Sequence, residues 1–245
     1  MLELQNICYT ALDGVAPKKI LNNINLKINE KFVALTGPNG GGKSTLAKII
    51  MGIIKPTSGK ILLDGEDITS LSITERAKKG ISFAFQSPVK FKGITVTDLI
   101  NIASEKKLSV SEICAYLSEV GLCAREYVDR EINSSLSGGE LKRIEIAITL
   151  ARSSKLTLFD EPEAGIDLWS FNSLIKVFER LSKKTNGSLL IISHQERILN
   201  IADRIIIVSG GEIKSDGKKE DVLPKIILES TCQTLINKDT EVING

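Results

Sequence analysis

The sequence predicts an α/β fold with a mostly parallel core sheet, an N-terminal antiparallel β subdomain and an inserted α-helical subdomain. Three observations predict it. Short apolar runs at residues 31–36, 81–86, 156–159 and 188–192 have strand length and read as strands buried on both faces. Segments 2–9 and 20–28 alternate apolar and polar residues around an Asp13-Gly14 turn, the pattern of an antiparallel pair. Residues 87–137 carry helical spacing and no strand signal.

Taken in order, the paired segments are followed by the strand at 31–36 and a helix from Ser44 to Met51. A Pro/Gly-punctuated loop leads to a strand at 60–64. Ser72 followed by Glu75 marks a capping box and a helix to Lys79. After the strand at 81–86 come a helix at 96–103 capped by Thr95 and a second with Val110, Ile113, Cys114, Leu117 and Val120 on one face. Residues 139–152 form a strong helix, with Leu141, Ile144, Ile148 and Ala151 inward and Lys142-Arg143 on a solvated face. A helix at 168–183, a hairpin at 204–215 across Gly210-Gly211, and a tail with Pro224 at a helix start complete the chain. The expected division is one domain over 1–245. Its catalytic core is 1–86 and 138–225, its helical subdomain 87–137 and its tail 226–245.

Composition bounds the function. With 42% hydrophobic and 25% charged residues the chain is globular rather than disordered. Only 4% is aromatic, which argues against a stacking platform for single-stranded nucleic acid, and a net charge of +2 calls for no polyanionic partner. No apolar run approaches the ~20 residues that span a bilayer, and the first residues lack a signal-peptide pattern. Cys8, Cys114, Cys123 and Cys232 form no C-x-x-C pair, so neither a zinc knuckle nor a thioredoxin motif is present. They read as reduced, packed thiols of a cytoplasmic protein.

The chemistry centres on Gly37, Pro38, Asn39, Gly40, Gly41, Gly42, Lys43, Ser44 and Thr45, which fit G-x-x-x-x-G-K-[ST] between a strand and a helix. The glycines let successive N–H groups turn inward as an anion nest, and the helix start adds its dipole. Lys43 supplies charge for β- and γ-phosphates, and Ser44 is placed for Mg²⁺. If the sheet is parallel, four strand ends converge on this loop: Thr36, Gln86, Asp160-Glu161 and Ser193-His194. Asp160 would hold Mg²⁺, Glu161 would orient and polarise water, and His194, the only histidine, would bond a γ-phosphate oxygen. Gln86 could ligate Mg²⁺ and sense the γ-phosphate, although alone it is an ordinary strand-end glutamine. Ser137, Gly138 and Gly139 open the strong helix as a second anion-binding start.

These motifs resemble the nucleotide-binding domain of the ATP-binding cassette (ABC) superfamily, a P-loop NTPase fold. Residues 37–45 match its Walker A motif, Gln86 the Q-loop, 136–140 the signature, 156–161 Walker B, Asp167 the end of the D-loop and His194 the switch histidine. The resemblance covers residues 1–225. It implies an ATPase using ATP and Mg²⁺. It also implies an ATP-dependent head-to-tail homodimer in which Ser137 of one copy caps the nucleotide on the Walker A loop of the other. Residues 83–89 and 137–145 further resemble the SufC family of iron–sulfur cluster assembly ATPases, which implies a soluble SufB-type, or SufB/SufD-like, scaffold as partner. The alternative is the ATP-binding subunit of a membrane ABC transporter. A nucleic-acid-linked ABC ATPase is disfavoured, because the insert leaves no room for coiled coils or zinc modules. Three departures stand out: Pro162 is unlike typical SufC sequences, Ala11 holds the place of the adenine-stacking aromatic two residues after Tyr9, and Gly41 replaces a common serine whose side chain points away.

Overall fold

The structure is a computed structural model that describes residues 1–13, 16–85, 91–133 and 135–228. β1 (Leu2–Asp13) and β2 (Ala16–Ile28) form a long antiparallel hairpin. With β4 (Ser58–Leu63) and β5 (Glu66–Asp67) it makes a four-stranded sheet in the order β2-β1-β4-β5. The second sheet has the order β10-β9-β3-β8-β7-β6. In it β3 (Phe32–Thr36), β6 (Ile81–Ala84), β7 (Leu156–Asp160), β8 (Ser188–Ile192) and β9 (Arg204–Ser209) run parallel, and β10 (Glu212–Lys218) returns antiparallel to β9.

The period-two side-chain pattern of these strands divides the core. Phe32 and Ala34 of β3, Phe159 of β7 and Ile191 of β8 join a cluster on one face, with helices α3 (Val96–Ser104), α4 (Val110–Glu119), α6 (Gly138–Arg152) and α7 (Leu168–Lys184). Val33, Leu35, Leu158 and Leu190 face the other way, onto α1 (Lys43–Met51) and the antiparallel sheet. The helix that begins at the phosphate loop is therefore enclosed between two sheets. Its C-terminal end is closed by Arg76 of α2 (Ile73–Lys78), which is 1% exposed. The guanidinium donates to the carbonyls of Ile49 (2.7 Å), Ile50 (2.8 Å), Thr69 (2.8 Å) and Leu71 (3.1 Å). Four carbonyls share one cation with no ion pair among the described residues, and burial lowers the arginine's pKa against the pull of Asp67.

The helical insert is tied at its base. Phe91 N–H donates to the Ile132 carbonyl (2.9 Å), Ile132 N–H to Ile94 (3.1 Å) and Val96 N–H to Arg130 (3.0 Å). The entering and leaving segments thus pair with each other, so α3, α4 and α5 (Ala124–Tyr127) are carried as a unit on α6.

The parallel core, the antiparallel N-terminal sheet and the helical insert match the fold expected from sequence. The capping boxes at Ser72/Glu75 and Thr95/Asp98 are formed. Three expectations need correction. Lys142 is not on a solvated face: it is 2% exposed, because α6 is buried over a wide arc that includes Ile146. Pro224 does not open a helix, since residues 219–228 are already helical, with Val222 and Leu223 buried against the core. Cys123 is exposed rather than packed, while Cys232 lies outside the described residues. No helix among the described residues is long and apolar enough to cross a membrane.

Candidate functional site

The phosphate loop leaves β3 and is shaped by close backbone contacts. Gly37, Gly40 and Gly42 have φ of 129°, 75° and 104°, a region that favours glycine. A Cβ at Gly37 would lie 2.1 Å from the Val208 carbonyl oxygen. At Gly41 it would lie 2.7 Å from the same oxygen and 2.9 Å from the Pro38 oxygen, so this backbone does not leave a side chain there pointing away, as the resemblance implied. The loop passes beneath β9 and touches it at residues 37 and 41.

Gly42 is the N-cap of α1 and offers no side-chain cap, and no acidic residue occupies the first turn. Lys43, 5% exposed, adds a second positive charge at this end, its Nζ folded back onto the carbonyls of Gly37 (2.7 Å) and Pro38 (2.9 Å). Burial lowers its pKa, while Glu161 and Asp160 oppose that shift. The cleft beside it is lined by residues 39–45, by Glu161 and by Lys18 and Ile20 of β2. Among the described residues no aromatic side chain lines it.

The parallel sheet brings three of the four expected strand ends here. Ser44 Oγ donates to Asp160 Oδ1 at 3.1 Å. Burial raises the Asp160 pKa, the Ser44 bond lowers it and Glu161 adds to the rise. A buried hydroxyl–carboxylate pair of hard oxygens, open on its loop side to phosphate and water, fits Mg²⁺. Among the described residues no group of three or more His, Cys, Asp and Glu suits a metal. Glu161 follows with φ 45° and its N–H bonded to the Ile192 carbonyl (2.9 Å). A non-glycine residue in that region is strained, and the bond to β8 helps to hold it. His194 Nε2 stands 3.7 Å from Glu161 Oε1. Burial, then Lys43, lowers the His194 pKa against the pull of Glu161, which favours the neutral ring. Gln86, the fourth strand end, lies outside the described residues.

Ser137, Gly138 and Gly139 do not line this cleft. Ser137 caps α6 in a closed box: its N–H donates to Glu140 Oε2 (2.6 Å) and its Oγ accepts the Glu140 N–H (3.3 Å). Tyr127 Oη donates to the same carboxylate, whose pKa falls to about 2, chiefly through that bond. The two glycines serve close packing here. A Cβ at Gly138 would lie 3.2 Å from the Gly165 oxygen, and one at Gly139 2.9 Å from Ser170 Oγ. Asp167 caps α7, its Oδ1 accepting from Trp169 and Ser170 N–H, both at 3.0 Å.

Two features were missed from sequence. Lys142 Nζ donates to the Phe85 carbonyl and to Glu145 Oε2 (3.0 Å), while Phe85 N–H donates to Glu145 Oε1 (3.0 Å), so the residue before Gln86 is clamped to α6. Glu163 turns its carboxylate inward toward Ser193. A lysine inside an apolar helix face and a second glutamate after a strand end were the available signals.

A family model described as ABC transporter matches residues 21–164. The chain belongs to the ABC transporter family. An uncharacterised ABC transporter ATP-binding protein of Methanocaldococcus jannaschii is 40% identical over 84% of this chain and 85% of its own length. A spermidine/putrescine import ATP-binding protein of Mesoplasma florum is 34% identical over 91% of this chain, which spans 63% of that longer relative. Among solved structures, a dimeric ATP-binding cassette in a post-hydrolysis state, bound to ADP and Pi, superposes with a TM-score of 0.79 at 26% identity, over 89% of this chain and 99% of that one. The chain is an ABC ATPase with the cassette fold.

Proposed function

We propose that this chain is the motor subunit of a two-component machine, in which two copies close head to tail around ATP and drive a partner protein through their helical inserts. The observation that carries this reading is the cleft itself. An uncapped helix start, a lysine folded onto loop carbonyls, the Ser44–Asp160 pair and the Glu161–His194 pair lie at one edge of one sheet. In the proposed reaction Lys43 exchanges its carbonyls for the β- and γ-phosphates. Glu161 orients water for in-line attack on the γ-phosphorus and takes its proton. The neutral His194 ring donates to a γ-phosphate oxygen. Ser44 and Asp160 would hold Mg²⁺, which would neutralise phosphate charge when bound.

The dimer supplies what the single chain lacks at this cleft. Ser137, Gly138 and Gly139 of the second copy would cover the γ-phosphate. Leu168 and Trp169, 64% and 82% exposed next to that helix start, would be covered with them. The solved relative with ADP and Pi is itself dimeric, which supports this arrangement. The exposed Phe85 and Phe91 flank residues 86–90 and mark the face for the partner.

For the identity of that partner, the family description and the import protein among the relatives favour the membrane subunits of a transporter, with this chain on the cytoplasmic side. A second reading, an iron–sulfur scaffold of SufB type, is favoured by one observation. The run at 137–145 that resembles SufC forms the Lys142–Glu145 clamp on Phe85, so the resemblance lies at the proposed partner face. Tagged pull-down from native cells, separated into membrane and soluble fractions, tests the choice. A polytopic membrane protein is expected; a soluble partner carrying iron or labile sulfide would replace it with the second reading.

A further inference from the structure

Glu163 takes no part in the chemistry above, yet its setting is costly. It lies in the turn after β7, where Ala164 N–H bonds the Glu161 carbonyl (3.0 Å) and Ile166 N–H bonds that of Glu163 (3.2 Å). Oε1 accepts the Ser193 hydroxyl, and Oε2 is shut off from solvent with no hydrogen-bond partner among the described residues. A buried acceptor left unsatisfied is unfavourable, so stability alone would favour an apolar side chain here.

What Glu163 holds explains the choice. Ser193 is fully buried, and its N–H donates to the Leu35 carbonyl of β3 (3.2 Å). Its Oγ accepts the Gln195 N–H (3.0 Å) while donating to Glu163. One hydroxyl therefore fastens both neighbours of His194, and the Glu163 carboxylate fixes the direction of its proton. The backbone of His194 faces the same carboxylate. The His194 ring, anchored this way at its base, reaches Glu161 at 3.7 Å with 39% of its side chain exposed.

We propose that Glu163 is a positioning residue for hydrolysis: through the Ser193 hydroxyl it sets the orientation of His194 relative to Glu161. The same turn then carries the group that orients water and the group that aligns its partner. This inference rests on the reading that His194 contacts the γ-phosphate.

The test is a set of steady-state ATPase measurements on the full chain, with ATP binding followed by calorimetry. Glu163→Ala is expected to lower kcat about 10-fold with KM and ATP affinity unchanged, the size of a modest misplacement near the reacting atoms. Ser193→Ala should lose the same factor, and the double variant no more. Glu163→Gln keeps a carbonyl acceptor for the hydroxyl and should stay within about 2-fold of the parent. In a His194→Ala background, Glu163→Ala should change nothing. The inference is overturned if Glu163→Ala turns over normally, if Glu163→Gln is no better than Ala, or if the two single losses multiply. Should Glu163→Ala not fold, Ser193→Ala decides the matter by the same criterion. His194→Ala at parental turnover would remove the role given to His194 and this inference with it; an impaired His194→Ala beside an unimpaired Glu163→Ala removes this inference alone.

Discussion

The starts of α1 and α6 carry the same unpaired backbone N–H groups, and the chain treats them in opposite ways. At α1, Gly42 provides no side-chain cap and the first turn holds no acid. At α6, Ser137 and Glu140 close a reciprocal box, as Ser109 and Glu112 do at α4. Of α1, α3, α4, α6 and α7, α1 alone lacks a side-chain cap. An internal carboxylate at α1 would take the place that a phosphate needs. The proposed nucleotide site is thus an end left unfinished, while the α6 start is complete in one chain and must share its donors when it meets a second copy's nucleotide.

The largest effect should come from emptying the α1 cradle. Lys43→Ala is expected to weaken ATP binding at least about 100-fold by calorimetry, the loss of a charge-assisted contact to two phosphates. Its melting temperature should fall only slightly, because the Gly37 and Pro38 carbonyls lose a donor while burial already disfavours the ammonium in the free protein. A variant that binds ATP normally would dissolve the contrast between the two helix starts.

The opposite end of α1 sharpens the comparison, since there the orphan groups are satisfied from within. Arg76→Met keeps much of the apolar stem but strands four carbonyls, two of them at the helix end. A loss of about 3 kcal/mol in chemical denaturation is expected, with ATP affinity per folded molecule unchanged. An undiminished stability would mean that water replaces the guanidinium at no cost.

Ser137→Ala should have a smaller effect on folding and a distinct effect on function. Removing the cap costs about 1 kcal/mol. ATP binding to the single chain should be preserved, because Ser137 is not in its own cleft, and turnover should fall.

The smallest effect is a pH dependence at the same cap. Glu140 has its pKa lowered from 4.5 to about 2, so its contribution is present above the unfolded value and is lost as pH falls from there through about 2. Because the residue is partly exposed and its charge partly screened, the advantage over Glu140→Gln at neutral pH should be only about 1 kcal/mol. It should shrink as acid is added below ~4.5. A difference that stays constant down to the acid transition would remove the ionised cap from the account.

The contrast between the helix starts was partly legible in the sequence. The glycine-rich run between an apolar strand and a helix marks α1, and a Ser or Thr three residues before an acid marks the capped starts. Strands buried on both faces showed as continuous apolar runs, which fixed the parallel core and the convergence of Ser44, Asp160, Glu161 and His194. Short elements did not show: β5, α5 and α8 (Glu196–Ile201) have too few residues to display a period. Nor did side chains whose meaning depends on distant backbone. Lys142 counts as polar in any hydrophobic pattern, yet its buried ammonium is explained by Phe85, 57 residues away. Glu163 gains its partner from Ser193, 30 residues on. Gly41 reads as a neutral replacement until the Val208 carbonyl is placed against it.

The central claim is that the open start of one copy is completed by the capped start of another, and mixing two disabled variants tests it most directly. Lys43→Ala and Ser137→Ala are each expected to hydrolyse ATP poorly. In a head-to-tail dimer of the two, one composite site has an intact Lys43 from one copy and an intact Ser137 from the other. ATPase activity measured on the mixture should therefore recover to a level that neither variant reaches alone. A mixture that stays as inactive as its components would contradict the account and return Ser137 to a purely structural cap.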